Sequence, residues 1–368
     1  MKNTPLFSPT TLDQQSLSSI LTNRKEILDK CRKQLQLNLN KVNLLKNLDQ
    51  FPAIDLLMGL EIELEEVPFF PGAREALFSG TYDLDFPSSY FFICKDDGSL
   101  RPKEEGAEFI SRIGLTGQEI LLGTKNLLIS SDVLKDYPSI SPRTSVHVHI
   151  NVLPYTFGQL KKIVFWYSLL EPLFFKLSGN RDKNIFCIPW YETAMRFYSF
   201  MNANDINVVL SALQGQQKYS ALNLLTVTHA GTIEFRHHQG TFDYSTIENW
   251  MLFLYQFITS AIDKDNETLQ QTFEKVQKAL EENNLDSLLW LEFEISVSEM
   301  DDLKEHIKDV LLFFVDQHEL RSNADLVDNY PAKPRTKKTA RSNPYVQYDD
   351  FNSLADMILT TAPTQETF

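Results

Sequence analysis

The sequence predicts an α+β fold: an antiparallel sheet with a polar, concave face, backed and flanked by helices. Residues 59–65, 145–151 and 232–238 each alternate between apolar and polar side chains, the period of a strand with one covered face. Strand patterns dominate the first half of the chain and helical patterns the second, without the regular strand–helix alternation of a doubly wound parallel sheet. The polar positions of these strands hold Glu, His and Arg rather than the Thr, Ser and Lys of a face that merely meets water. Such groups bind metal ions and phosphates.

The 368 residues are 43% hydrophobic and 12% aromatic, enough for a large core and too much for general disorder. A formal net charge of −14 argues against a nucleic-acid surface over the whole molecule, because phosphate backbones need a concentrated basic face. Cys31, Cys94 and Cys187 are odd in number, far apart and without a CxxC pair. Neither a disulfide scaffold nor a thiolate zinc site is expected, and a cytoplasmic location fits. The first residues lack the apolar run of a signal peptide, and the most apolar helical stretch, 163–177, is short and holds Glu171 and Pro172. No membrane segment is expected.

Residues 11–48 have helical spacing, with Leu17, Leu21, Leu28, Cys31 and Leu35 in a narrow stripe, and should pack as one or two helices on the outside of the main domain. The strand at 59–65 carries Glu61, Glu63 and Glu65, the last of these at its end and expected on the surface. A short strand at 91–94 runs into the turn signal Asp96-Asp97-Gly98-Ser99, and the chain returns along 106–111. The strand at 145–151 sets His147 and His149 against Val146, Val148 and Ile150 on the other face. Thr156 should cap a helix reaching about residue 177. Further helices are expected at 205–213, after a Ser245/Glu248 capping box that precedes Trp250, Leu254, Phe257, Ile258 and Ala261, at 267–280 and at 298–320. In the last strand Ile233 and Phe235 face the core, and Glu234, Arg236 and His238 face away. Residues 331–344, with Lys333, Arg335, Lys337, Lys338 and Arg341, read as a basic linker, and 351–359 as a short amphipathic helix. The chain thus divides into a helical segment 1–50, a catalytic domain 51–320 and a basic tail 321–368.

Two carboxylates two positions apart on a strand lie about 6.7 Å from each other and repel by roughly 2 kcal/mol at an effective dielectric near 20. Glu61, Glu63 and the paired imidazoles therefore call for a cation. Carboxylates favour Mg²⁺, and imidazole tilts the choice toward Mn²⁺. There is no GxxxxGK[ST] or GxGxxG loop, so any nucleotide phosphates would be held by metal ions and side chains.

In chain order, Gly59-Leu60-Glu61-Ile62-Glu63, Asp97-Gly98-Ser99 with Glu108-Phe109-Ile110-Ser111, Ser145-Val146-His147-Val148-His149, Lys218-Tyr219-Ser220-Ala221-Leu222-Asn223 and Thr232-Ile233-Glu234-Phe235-Arg236 resemble the amidoligases. These are carboxylate–amine ligases of the wider glutamine synthetase and glutamate–cysteine ligase superfamily. The resemblance covers about residues 56–261 and departs at Arg112-Ile113-Gly114, where a proline would be expected nearby. It implies a curved antiparallel sheet like the glutamine synthetase catalytic domain, holding ATP and two or more divalent cations on its concave face. By this resemblance Glu61, Glu63, Glu108, His147 and Glu234 would be ligands of Mg²⁺ or Mn²⁺. His149, Arg236 and Lys218 would face ATP phosphates, and Arg236, Glu63 and Arg181 would serve catalysis. Tyr219 and Asn223 are expected to be structural.

The implied reaction joins a small-molecule or peptide carboxylate to an amine through an acyl phosphate, because a free carboxylate has no adequate leaving group at neutral pH. Two other readings stay open: a metal-dependent hydrolase, since Glu/His sites also activate water, and a non-catalytic interaction protein that retains the fold. No membrane partner is expected, and nucleic acid only through the basic tail. The oligomeric state is left open.

Overall fold

In the computed structural model, residues 5–102, 105–214, 218–262, 267–297 and 300–324 are described. The expected basic linker and the helix at 351–359 lie outside them. The chain opens with α1 (Leu17–Ile20) and α2 (Thr22–Lys41) and enters the sheet at β1 (Met58–Leu64). Next come α3 (Ala73–Ser79), β2 (Phe92–Lys95), β3 (Ala107–Ser111), α4 (Gly117–Leu128) and β4 (Ser145–Asn151). The helices α5 (Phe157–Leu177), α6 (Trp190–Met201) and α7 (Ile206–Gln214) lead to β5 (Leu222–Asn223), α8 (Thr226–Ala230) and β6 (Thr232–Gln239). The described chain ends with α9 (Tyr244–Ile262), α10 (Leu269–Glu281), α11 (Leu285–Phe293) and α12 (Met300–Ala324). Among the described residues the six strands run in the order β2-β3-β1-β4-β6-β5. Every neighbouring pair is antiparallel, so the fold is α+β as the patterning predicts.

Alternation assigns the faces. Leu60, Ile62, Leu64, Val146, Val148, Ile150, Ile233 and Phe235 are fully buried against a helical layer in which α5 packs on β6, and α4 on β1. Helix α5 also meets α6, α9, α10 and α12, which is why its sequence is apolar nearly all round. Thr156 caps it, with Gln159 closing the box. Helix α9 starts one residue before the expected Ser245, because Asp243 stands ahead of the first turn and its carboxylate accepts the Thr246 N–H at 2.9 Å. Glu248, expected to close a box, instead accepts from the Tyr244 hydroxyl. Helix α4 was not anticipated, although Thr116 and Glu119 form a complete capping box at its start.

The N-terminal residues do not all lie outside. Helix α2 packs through Leu28, Cys31, Leu35 and Leu39 and is tied to Glu119 by Arg32 and Gln36. Ahead of it, Phe7 is 4% exposed and sits 5.6 to 6.1 Å, between ring centroids, from Phe314, Phe273 and Phe165. At the Arg112-Ile113-Gly114 departure, the Arg112 guanidinium is buried, donates to the Ser89 and Gly80 carbonyls at 2.7 Å and lies 4.0 Å over the Tyr82 ring. It anchors the chain leaving β3, the strand that carries Glu108. Among the described residues, no helix is long and apolar enough to cross a membrane.

Behind β6, the Tyr167 hydroxyl lies 2.5 Å from Glu171 Oε1 and 2.9 Å from His237 Nε2, and Glu171 Oε1 also accepts the Trp190 N–H at 2.7 Å. Burial pushes the Glu171 carboxyl up to about 7, against the opposing pull of these two hydrogen bonds. A carboxyl raised on folding stabilises the protein fully below its unfolded range and loses that contribution as pH rises toward and through 7. Glu171→Gln should therefore remove roughly 3 kcal/mol of pH dependence between pH 5 and 8. Urea unfolding of both proteins at the two pH values checks this, and an unchanged difference would place the titration elsewhere. Phe7→Ala should cost about 3 to 5 kcal/mol, read by the same unfolding curves. A loss below 1 kcal/mol would mean that the N-terminal segment contributes little to the core.

Candidate active site

The polar side chains converge because antiparallel register sets like faces opposite one another. Glu63 of β1 faces Glu108 of β3, Glu61 faces His147 of β4, and His149 faces Glu234 of β6, which in turn faces Asn223 of β5. His147 Nδ1 lies 3.0 Å from Glu61 Oε2, 3.5 Å from Glu234 Oε1 and 4.0 Å from Glu63 Oε1. His149 Nε2 lies 3.1 Å from Glu61 Oε1, and its Nδ1 is 3.2 Å from the Thr232 hydroxyl. Gly59 makes room for this ring: a Cβ at residue 59 would stand 3.1 Å from the Cβ of His149. Arg236 bonds Glu234 Oε1, and Asn223 donates to Glu234 Oε2 at 2.7 Å.

Two sets of potential ligand atoms result. One comes from Glu61, His149 and Glu234, the other from Glu63, Asp97 and Glu108, and within each set the atoms lie within 4.8 Å of one another. Atoms bound to one ion at about 2.0–2.6 Å stand at most about 5 Å apart, so each set has the dimensions of a divalent-cation site. The electrostatics agree. Burial, reinforced by the charges of Glu61, Glu63 and Asp97, holds the Glu108 carboxyl well above the usual range, with Lys95 opposing. Burial also raises Glu63 against His147, Arg236 and Ser145. For Glu61 the desolvation is outweighed by His149 and His147, and its carboxyl falls well below the usual range. For Glu234 it is outweighed chiefly by Arg236, then by the imidazoles.

The structure treats the remaining predicted residues differently. Lys218 is exposed, its Nζ 5.8 Å from the Tyr219 ring, while the Arg236 guanidinium stands 5.7 Å from the same ring. Lys218 thus occupies the rim of the cluster. Arg181 is buried, and its Nη1 donates to the carbonyls of Arg236 at 3.2 Å and His238 at 2.9 Å. Its Nη2 has no hydrogen-bond partner among the described residues, and it lies near enough to Glu63 and Arg236 to feel both charges.

His238 does not share the face of Glu234. Two steps along β4, from Val148 to Val146, match three along β6, from Phe235 to His238. This bulge resets the alternation, places His238 opposite Val146 and brings its ring to 5.6 Å from Trp250. Glu65 is buried rather than on the surface, its Oε1 accepting the Arg101 N–H at 2.7 Å. Asn223, expected to be structural, touches Glu234 directly. Asp97 and Ser145 were missed as site residues. Asp97 lies in a turn whose place across from Glu108 no local pattern reveals, whereas Ser145 could have been found two residues before His147 on the same strand face.

Replacing Glu108 by Gln removes one of several mutually repelling carboxyls that are buried or half-buried. Because its carboxyl is raised on folding, its unfavourable contribution grows as pH rises through the folded value. Glu108→Gln should therefore melt higher than the parent at pH 8 in EDTA. A lower Tm in EDTA would assign Glu108 a structural role instead.

No curated protein matches this chain. The part of the site built on β4, β5 and β6, with His147, His149, Arg181, Lys218, Glu234 and Arg236, falls within residues 138–258, a third of the chain that matches the family model described as "Putative amidoligase enzyme".

Proposed function

We propose that this chain is an ATP-dependent carboxylate–amine ligase with a glutamine synthetase-like catalytic face, joining a small-molecule or peptide carboxylate to an amine by way of an acyl phosphate. The observation that carries the reading is the pairing of two cation-sized acid sets on one sheet face with a guanidinium beside them. Glu61, His149 and Glu234 would hold one divalent cation and Glu63, Asp97 and Glu108 a second, with His147 Nδ1 facing Glu61, Glu234 and Glu63. Mg²⁺ or Mn²⁺ bound there would neutralise the triphosphate and the transferring phosphoryl group.

The chain's own residues supply the rest. Arg236, fixed by Glu234 on one side and by the Phe186 carbonyl at 3.5 Å on the other, presents a permanent positive charge to negative charge developing on the substrate. Arg181 holds the β6 backbone beneath Arg236, and its buried Nη2, without a hydrogen-bond partner among the described residues, adds positive charge beneath the site. Lys218 and Tyr219 at the rim would contact the outer part of a phosphate chain. Burial of the acid row keeps bulk water from screening these charges.

With Mg²⁺ or Mn²⁺ and ATP, the purified protein should release ADP and phosphate when a panel of carboxylates is supplied, and hydroxylamine should trap hydroxamates. Glu234→Gln should abolish turnover and weaken Mn²⁺ binding. Arg236→Ala should retain Mn²⁺ and ATP binding but turn over about 10²-fold or more slowly. Formation of AMP and pyrophosphate, or metal-dependent amide hydrolysis without ATP, would overturn the reading.

A further inference from the structure

We infer that Ser145 is the positioning residue that selects the tautomer of His147 and so turns Nδ1 of that ring into a cation ligand. The inference rests on the cation site proposed above and concerns a residue that touches none of the reacting groups. Ser145 is 2% exposed at the start of β4, and its hydroxyl lies between two acceptor-capable groups. It donates to Glu63 Oε2, and it stands 2.7 Å from His147 Nε2.

A serine hydroxyl has one hydrogen to give. With that hydrogen directed to the Glu63 carboxylate, only oxygen lone pairs face His147, so Nε2 must carry the ring hydrogen. In the neutral ring Nδ1 is then an acceptor, aimed at the space bounded by Glu61 Oε2 at 3.0 Å, Glu234 Oε1 at 3.5 Å and Glu63 Oε1 at 4.0 Å. A lone pair surrounded by carboxylate oxygens is unfavourable unless a cation lies between them, and it is the state a metal ligand requires. The opposite tautomer would donate Nδ1–H to Glu61 and put a hydrogen where an ion would bind. The same serine fixes the orientation of Glu63, coupling the two acid sets through one hydroxyl. Register makes the arrangement possible: pairing of Glu61 with His147 and of Ile62 with Val146 brings Glu63 level with Ser145.

Mn²⁺ binding to the full chain is measured by calorimetry for the parent, Ser145→Ala and Ser145→Thr, with circular dichroism to establish folding. Ser145→Ala should bind Mn²⁺ about 10–100-fold more weakly, whereas Ser145→Thr, which keeps the hydroxyl on a strand that tolerates Thr, should bind nearly as the parent does. Independently of both variants, nitrogen NMR of the ¹⁵N-histidine-labelled parent loaded with diamagnetic Mg²⁺ should report His147 protonated at Nε2 and not at Nδ1. Unchanged Mn²⁺ affinity in a folded Ser145→Ala protein, or an Nδ1-protonated ring in the Mg²⁺-loaded parent, overturns this inference alone. Failure of the parent itself to take up either ion overturns the cation reading and this inference with it.

Discussion

Repulsion among closely spaced, buried and half-buried carboxylates is the constraint around which the polar face of this sheet is arranged. Glu61, Glu63, Asp97, Glu108 and Glu234 come within a few ångströms of one another in two sets, and two carboxylates 4.8 Å apart repel by roughly 3 kcal/mol at an effective dielectric near 20. The central strands set nitrogen-bearing groups at facing positions: His147 opposite Glu61, His149 opposite Glu234, and Arg236 on Glu234. Where those partners are present, carboxyls fall below the usual range. Toward β3 they are sparser, and Glu63 and Glu108 rise. The shift in proton affinity therefore changes sign within β1, between Glu61 and Glu63.

The bulge in β6 serves the same end. An unbroken strand would carry Glu234, Arg236 and His238 on one face, adding an imidazole beyond the arginine. The extra residue instead turns His237 and His238 toward the helical layer. There His237 meets Tyr167 and lies 4.9 Å from Phe175, and His238 approaches Trp250. Burial, with Arg181 and His238 nearby, pushes His237 down to about 3, so it stays neutral at any ordinary pH. Arg181 bonds the carbonyls of Arg236 and His238 on either side of His237, and backbone groups released by the irregularity are thereby satisfied.

A polar face under this much electrostatic stress needs a rigid support, and the opposite face of the same strands provides it. The fully buried row from Leu60 to Phe235 packs on α4 and α5, the latter itself enclosed by other helices and by Phe7 from the start of the described chain. Stability is concentrated in apolar packing on one side of the sheet, which leaves the other side free to hold groups that destabilise it until an opposite charge arrives.

Period-two alternation in β1, β4 and β6 was enough, from sequence alone, to identify the antiparallel sheet, its apolar row and the glutamates, histidines and arginine of its polar face, because side-chain direction in a strand is a local property of the backbone. Capping chemistry located α5 for the same reason, and would have located α4. Only the tertiary structure decided what depends on residues distant in the chain. It set Glu63 against Glu108 and brought Asp97 beside both, put Asn223 on Glu234 and buried Glu65 under Arg101. It also drew Phe7 into the core and spent most of Arg181 on backbone carbonyls. The bulge that removed His238 from the polar face belongs to this second class, because an extra residue in one strand is visible only against the partner strand that lacks it.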